Sequence, residues 1–286
     1  MGDRKIVIPL ILSSILVLLV LAVMTAPAVA TPNDNASDEG KENAKFIPDH
    51  AVKISQGVYS LGKAKDVTGK EVEGFMFIDY KKGSGKPDGT PGGGPKEKTS
   101  GGEKNTCFSL YAKGAKWKTT EPYMIGSGIS ATITAQSLNQ WDSEVSFDIF
   151  GSKTSEIPDG ADSVSPDGKN EVMGENLGST STIAYAITWG NFGGPPGQRE
   201  LVEWDVVFNT DYPFGDAGDT DENSLGDESL MDYQNIATHE FGHSLGLSHP
   251  GDTCTEETMY RYASFGETKK RTIEAGDKTG LDNLYG

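Results

Sequence analysis

Three of the chain's four histidines fall in one short run, His239-Glu240-Phe241-Gly242-His243-Ser244-Leu245-Gly246-Leu247-Ser248-His249. No other feature constrains the fold as tightly, because the run needs a helix followed at once by a turn. Residues four apart share a helix face, so His239 and His243 can offer two imidazole nitrogens to one ion about 2 Å away. Gly246 tolerates positive φ cheaply and lets the backbone turn, bringing His249 round as a third nitrogen. Three neutral nitrogens leave a fourth position on zinc for water, which is the arrangement of a catalytic zinc. Glu240 stands beside that position, where it can act as the general base. Asp232 is the expected N-cap of the zinc helix, with Ile236 and Leu245 turned to the core.

This run resembles the signature of the metzincin zinc proteases. Glu256-Glu257-Thr258-Met259-Tyr260 is similar to the segment that carries their Met-turn methionine, which assigns Met259 to an apolar floor beneath the metal. Within metzincins the resemblance is to the matrixins. Lys116-Trp117, the helix around Ala135-Gln136-Ser137-Leu138-Asn139-Gln140-Trp141, and the terminal Asp277-Lys278-Thr279-Gly280-Leu281-Asp282-Asn283-Leu284-Tyr285-Gly286 occur in matrixin order, so the likeness runs from about Cys107 to Gly286. Gly246 to Asp252 is also similar to the serralysin form of the motif. Serralysins continue into glycine-aspartate repeats that this chain does not carry, so the matrixin resemblance is preferred.

The resemblance implies an α+β fold of the α/β metzincin type. Its twisted five-stranded sheet is mostly parallel with an antiparallel edge strand, and is packed with three helices, the second carrying the zinc motif. It implies a zinc endopeptidase acting on extended polypeptides, with Glu240 moving the proton. Ile183 to Trp189 becomes the edge strand above the cleft, where a peptide substrate adds as a further strand. The segment Arg261, Tyr262, Ala263 and Phe265 after Met259 then builds the pocket beside the scissile bond. The family's structural zinc takes three histidines, and only His50 remains outside the motif, so that second zinc is expected to be absent. The competing reading is a secreted zinc-containing binding module without proteolysis; the intact Glu240 argues against it, since metal binding alone does not need that carboxylate.

The rest of the chain divides by composition. Arg4 and Lys5 precede an apolar run from Ile6 to Met24, and Ala28-Val29-Ala30 offers a small-residue cleavage site. Residues 1–30 read as a signal peptide, or as an uncleaved anchor because the run approaches spanning length. Either places the protein outside the cytoplasm, secreted or held at the cell surface, and a membrane contact follows only from the uncleaved form. Residues 31–81 form a propeptide-like region. Its first part is acidic, and Val52 to Tyr80 alternates as a small β unit that packs on the catalytic domain or serves as a propeptide. Residues 82–105 read as a Gly, Pro and Lys linker, and 106–286 as the catalytic domain, expected to be a monomer.

Within that domain Trp117 to Gly126 reads as a first strand and Ile129 to Val145 as a helix capped by Ser130. Ser146 to Phe150, Glu171 to Met173 and Leu201 to Asn209 read as further strands. A formal net charge of −17 excludes a nucleic-acid partner, since phosphate binding depends on Lys and Arg. Asp211, Asp216, Asp219 and Asp221 crowd the loop before the zinc helix and are candidate calcium ligands, although no EF-hand spacing is present. Cys107 and Cys254, the two cysteines of the chain, suit a disulfide in an exported protein. The alternative is a zymogen switch in which Cys107 ligates zinc. Matrixins do this from a Pro-Arg-Cys-Gly sequence, which Asn105-Thr106-Cys107-Phe108 does not match.

Overall fold

The two long strands at the centre, Thr182–Asn191 (TIAYAITWGN) and Glu200–Asn209 (ELVEWDVVFN), are β-branched and aromatic, and nearly every residue in them is buried. A strand buried on both faces needs apolar cover on each side. The computed structural model, which describes residues 45–84, 107–218 and 226–286, shows what supplies it. In chain order the strands are β1 (Val52–Ser55), β2 (Val58–Lys65), β3 (Glu71–Lys81), β4 (Ser109–Leu110), β5 (Glu121–Ile125), β6 (Phe150–Lys153), β7 (Glu171–Glu175), β8 (Thr182–Asn191) and β9 (Glu200–Asn209). The short strands β10 (Phe214–Gly215), β11 (Met231–Asp232), β12 (Leu247–Ser248) and β13 (Tyr262–Ala263) follow. The helices are α1 (Ala131–Asp142), α2 (Tyr233–Ser244) and α3 (Ala275–Tyr285).

The main sheet runs β1-β2-β3-β8-β9-β7-β5-β6. Strands β6, β5, β7 and β9 are parallel, and β8 lies antiparallel to β9, which is the mostly parallel five-stranded arrangement expected. Three helices accompany the sheet, and the second carries the histidine run, as the resemblance implies. One face of the sheet packs on the helices through Trp141, Ile183, Ala186, Trp204, Ile236 and Phe241. On the opposite face Leu61, Val72, Met76 and Ile78 of the N-terminal strands lie beside Tyr185, Ile187 and Trp189 and extend one apolar surface. Phe46 stacks flat on Tyr185, with centroids 5.4 Å apart.

Strand β8 departs from expectation. It is not an edge strand, because β3 pairs with it along almost its whole length, from Glu73 opposite Gly190 to Tyr80 opposite Thr182. Two strand limits also shift. The first catalytic strand covers Glu121–Ile125 rather than starting at Trp117, whose indole Nε1 instead donates to Ser244 O at 2.7 Å. The strand expected at Ser146 begins at Phe150, because the Asp142 carboxylate at the end of α1 accepts the Ile149 and Phe150 N–H groups and turns the backbone there. The linker lies mostly outside the described residues, and the N-terminal apolar run wholly so. Among the described residues no helix is long and apolar enough to cross a membrane.

Candidate active site

Helix α2 starts where the sequence places it. The Asp232 side chain accepts the Asn235 N–H at 2.8 Å, which satisfies one of the open donors of the first turn. Arg271 Nε donates to the same carboxylate at 2.9 Å, fixing the cap from the C-terminal segment. At the other end the chain turns at Gly246, whose φ is +106°, a region that an L side chain rarely adopts. After the turn β12 pairs with β4, Leu247 opposite Leu110 and Ser248 opposite Ser109. The Cys107–Cys254 disulfide ties the segment before β4 to the loop after His249. Cys107 is therefore committed to Cys254 rather than to the metal site.

These elements bring His239, His243 and His249 together. Their ligand nitrogens lie within 4.8 Å of one another. The Nε2 atoms of His239 and His243 are 3.3 Å and 3.1 Å from His249 Nε2. On the far side of the rings His239 Nδ1 is 2.7 Å from Thr258 O, and His243 Nδ1 is 2.9 Å from Leu247 O. A carbonyl oxygen only accepts, so both Nδ1 atoms carry the hydrogen and both Nε2 lone pairs point inward. Burial holds the His239 and His249 rings well below the ordinary histidine range and takes His243 down to about 3, so all three remain neutral. Converging lone pairs repel unless a cation sits between them. Two nitrogens on a tetrahedral zinc at about 2.05 Å are about 3.3 Å apart, so the cup fits that ion.

Glu240 is fully buried beside the cup, and both its carboxylate oxygens lack a hydrogen bond of normal geometry. Burial pushes its pKa well up, Asp79 beside it pushes further, and Lys270 opposes. Met259 is buried under α2, where a Cβ at Gly242 would stand only 2.2 Å from its Sδ. The turn that holds it is anchored by the Thr258 N–H, which donates to Asp277 Oδ2 at 2.7 Å.

Three further groups reach this site from outside the motif. Phe77 of β3 stacks on the His243 ring at 4.3 Å and 12°. Asp79, two residues on and so on the same strand face, has a ligand oxygen within 4.8 Å of those of His239 and Glu240. Lys270 is fully buried and donates from Nζ to Tyr260 O at 2.5 Å. In the sequence, Asp79 is the acid that follows the apolar run Phe75 to Ile78, at the parity of Phe75 and Phe77, but Glu71 and Glu73 share that parity and blur the signal.

The acidic loop before α2 is distributed differently. Asp211 accepts from Asn176 Nδ2 at 2.5 Å and Asp216 pairs with Arg271 at 2.5 Å, while Asp219 and Asp221 lie outside the described residues. Elsewhere Asp162, Asp167 and Glu203 bring carboxylate oxygens within 4.8 Å of one another. Glu203 is fully buried and its Oε1 has no hydrogen-bond partner. His50 is exposed ahead of β1.

Comparison with known proteins agrees with this geometry. Residues 112–286 match the matrixin family profile. Stromelysin-1 of Equus caballus is 40% identical over 74 residues, a stretch that covers 25% of this chain and only 15% of that relative. The family match embraces the zinc helix, the turn at Gly246, the third histidine and the methionine turn, so the chain belongs to the matrixin family.

Proposed function

We propose that the protein is a zinc-dependent endopeptidase that hydrolyses internal bonds of extended polypeptides. The observation that carries this is the inward convergence of three neutral Nε2 atoms with a buried carboxylate, Glu240, beside them. Zinc held by His239, His243 and His249 supplies Lewis acidity toward the scissile carbonyl and acidifies a water to near pH 7. Glu240 takes the proton from the attacking water as the new C–O bond forms, and returns it to the amine nitrogen as the C–N bond breaks. A carboxylate suits both steps, because it can accept a proton in one and donate it in the next. Thr258 O and Leu247 O hold the His239 and His243 rings, and Met259 fills the space beneath them.

Export from the cytoplasm is part of the same reading and is supported by the pairing of Cys107 with Cys254. Calcium is the cation that suits the oxygen ligands Asp162, Asp167 and Glu203, a position distinct from the loop singled out in the sequence. The central test compares wild type and Glu240→Ala on casein, with and without chelator. Whatever cleavage wild type shows is expected to be lost with chelator, and the variant to keep its zinc while losing at least about a thousand-fold in rate, the scale of removing proton transfer and the nucleophile it generates. Equal cleavage by Glu240→Ala overturns the role assigned to this carboxylate.

A further inference from the structure

Beyond the catalytic site the short strand β13 lines a second feature, an open cavity of about 640 Å³. Its walls include Lys82, Glu228, Glu256, Phe265, Glu267 and Lys269. That volume suits one long side chain or a small ligand. The walls are tied to the body of the domain. Phe265 packs on Tyr212 with ring centroids 5.8 Å apart. The Gly226 N–H donates to Gly266 O at 2.7 Å and the Gly266 N–H to Leu230 O at 2.8 Å, which joins the loop carrying Glu228 to the turn carrying Phe265.

The lining holds three carboxylates and two ammonium groups, and the three acids are not equivalent. Glu256 is already answered, because Thr255 Oγ1 donates to it at 2.9 Å and Lys269 Nζ stands 3.5 Å away. The hydroxyl holds the Glu256 carboxyl below its ordinary range, and Lys269 and then Lys82 add to that shift. Glu228 is exposed. Glu267 differs from both, since it is only 8% exposed and its Oε1 has no hydrogen-bond partner. A carboxylate withdrawn from water calls for a cation or a donor. Lys269 does not supply one, being committed to Glu256 and to Thr255 O.

Resting on the reading of the chain as an endopeptidase, we propose that this cavity is a substrate subsite for an arginine or lysine side chain on the C-terminal side of the scissile bond, and that Glu267 selects it. The path to the cavity is marked by the chain itself. Strand β3 runs antiparallel to β8 and parallel to β13, and just past it the Lys82 N–H donates to Ala263 O at 2.8 Å. A polypeptide held by the same main-chain groups in the same direction brings a side chain here three positions beyond the one beside Glu240, as Lys82 follows Asp79. Its charged head meets Glu267 while its alkyl stem lies along the Phe265 ring. Glu228 adds attraction at the rim and little discrimination, because exposed ion pairs contribute little. Selection therefore falls to the buried carboxylate, which an uncharged side chain of equal length leaves poorly answered.

The test uses the full chain as wild type, Glu267→Gln and Lys82→Gln. The probes are Nα-acetyl-arginine methylamide and its neutral isostere Nα-acetyl-citrulline methylamide, with binding followed by the amide chemical shifts of residues 264–269. Wild type is expected to bind the arginine probe at least about five-fold more tightly than the citrulline probe, the scale of a charge-assisted hydrogen bond. Glu267→Gln should bring that ratio close to one, and Lys82→Gln should raise it, because a competing cation has been removed from the lining. In a mixed peptide library, the chelator-sensitive cuts that wild type makes should be enriched in arginine and lysine on the C-terminal side, and Glu267→Gln should lose that enrichment. Equal binding of the two probes by both wild type and Lys82→Gln overturns the cation subsite and leaves the endopeptidase standing. Discrimination between the probes without enrichment at the cuts overturns its part in substrate choice. Cuts made equally by Glu240→Ala overturn the endopeptidase reading instead, and the probes then decide the cavity alone.

Discussion

Replacing Gly242 by alanine sets two effects of known size against each other. In an exposed helix the change is favourable by about 1 kcal/mol, because glycine loses more backbone freedom than alanine. In α2 the added Cβ stands 2.2 Å from Met259 Sδ, 3.0 Å from Met259 Cε and 2.7 Å from Trp141 Cζ2. Ordinary carbon contacts lie near 3.5–4.0 Å, so each neighbour has to retreat by an ångström or so. Neither has room. The Trp141 indole is fully buried and donates from Nε1 to Thr238 O at 2.8 Å, and Met259 sits on a turn tied to Asp277. Overpacking of this kind costs about 1–3 kcal/mol, and overlap with a ring that cannot pivot belongs at the upper end. The net expectation is a loss of about 2 kcal/mol, or about 4–8 °C in Tm for a domain of this size. Scanning calorimetry of metal-free wild type and Gly242→Ala measures it directly. A variant that melts at or above wild type refutes the claim that the helix and the methionine turn are in hard contact.

Removing the Cys107–Cys254 bond, which spans 147 residues of sequence, frees a loop whose closure is worth about 5 kcal/mol in the chain-entropy model. The double serine variant should melt at least about 10 °C lower, and a drop under about 3 °C would show that the unfolded state is not restrained by this link. A pH series probes the buried carboxylates. Burial lifts Asp162 to about 7, Glu203 to about 9 and Asp205 well above its ordinary value. The folded state then holds more protons than the unfolded one from about pH 4 upward, so metal-free stability falls as pH rises from about 4 to about 9. Glu203→Gln should flatten the upper part of that decline, and calcium should raise the Tm at pH 8 more than at pH 5; a Tm that climbs between pH 5 and 8 without calcium contradicts the assignment. Gly246→Ala places a side chain at φ +106° with Ala112 Cβ and Leu284 Cδ1 each 3.1 Å away, and should lower stability by about 1–3 kcal/mol together with zinc affinity, read by melting and chelator competition.

The catalytic helix was legible because its chemistry and its geometry are written in consecutive residues. Asp232, Gly246 and the histidine spacing each state a local rule, and the structure has no reason to override it. Asp79 was not legible in the same way. It lies far from the motif in sequence, in a strand whose Val72, Met76 and Ile78 read as ordinary core, and only the pairing of β3 with β8 brings it to the cup. Lys270 was hidden for a similar reason, sitting in a short helical turn among lysines that look like a solvated surface. The position of Phe150 depended on one side chain, Asp142, reaching the backbone several residues on, which apolar alternation does not encode. Charge density in the acidic loop does not show that Asp216 faces Arg271, a pairing between residues far apart in sequence.

The pairing of β3 with β8 joins residues more than a hundred positions apart, and it also fixes an order of events during synthesis. The N-terminal strands leave the ribosome before β8, β9 or the zinc helix exist. Long-range pairs of this kind form late, and domains emerging from the ribosome acquire structure from the N-terminal end first. The β2–β3 hairpin therefore waits with an open edge until β8 arrives to cap it. An unpaired strand edge is a pairing hazard, so the order of the chain makes the arrival of β8 the step that ends it.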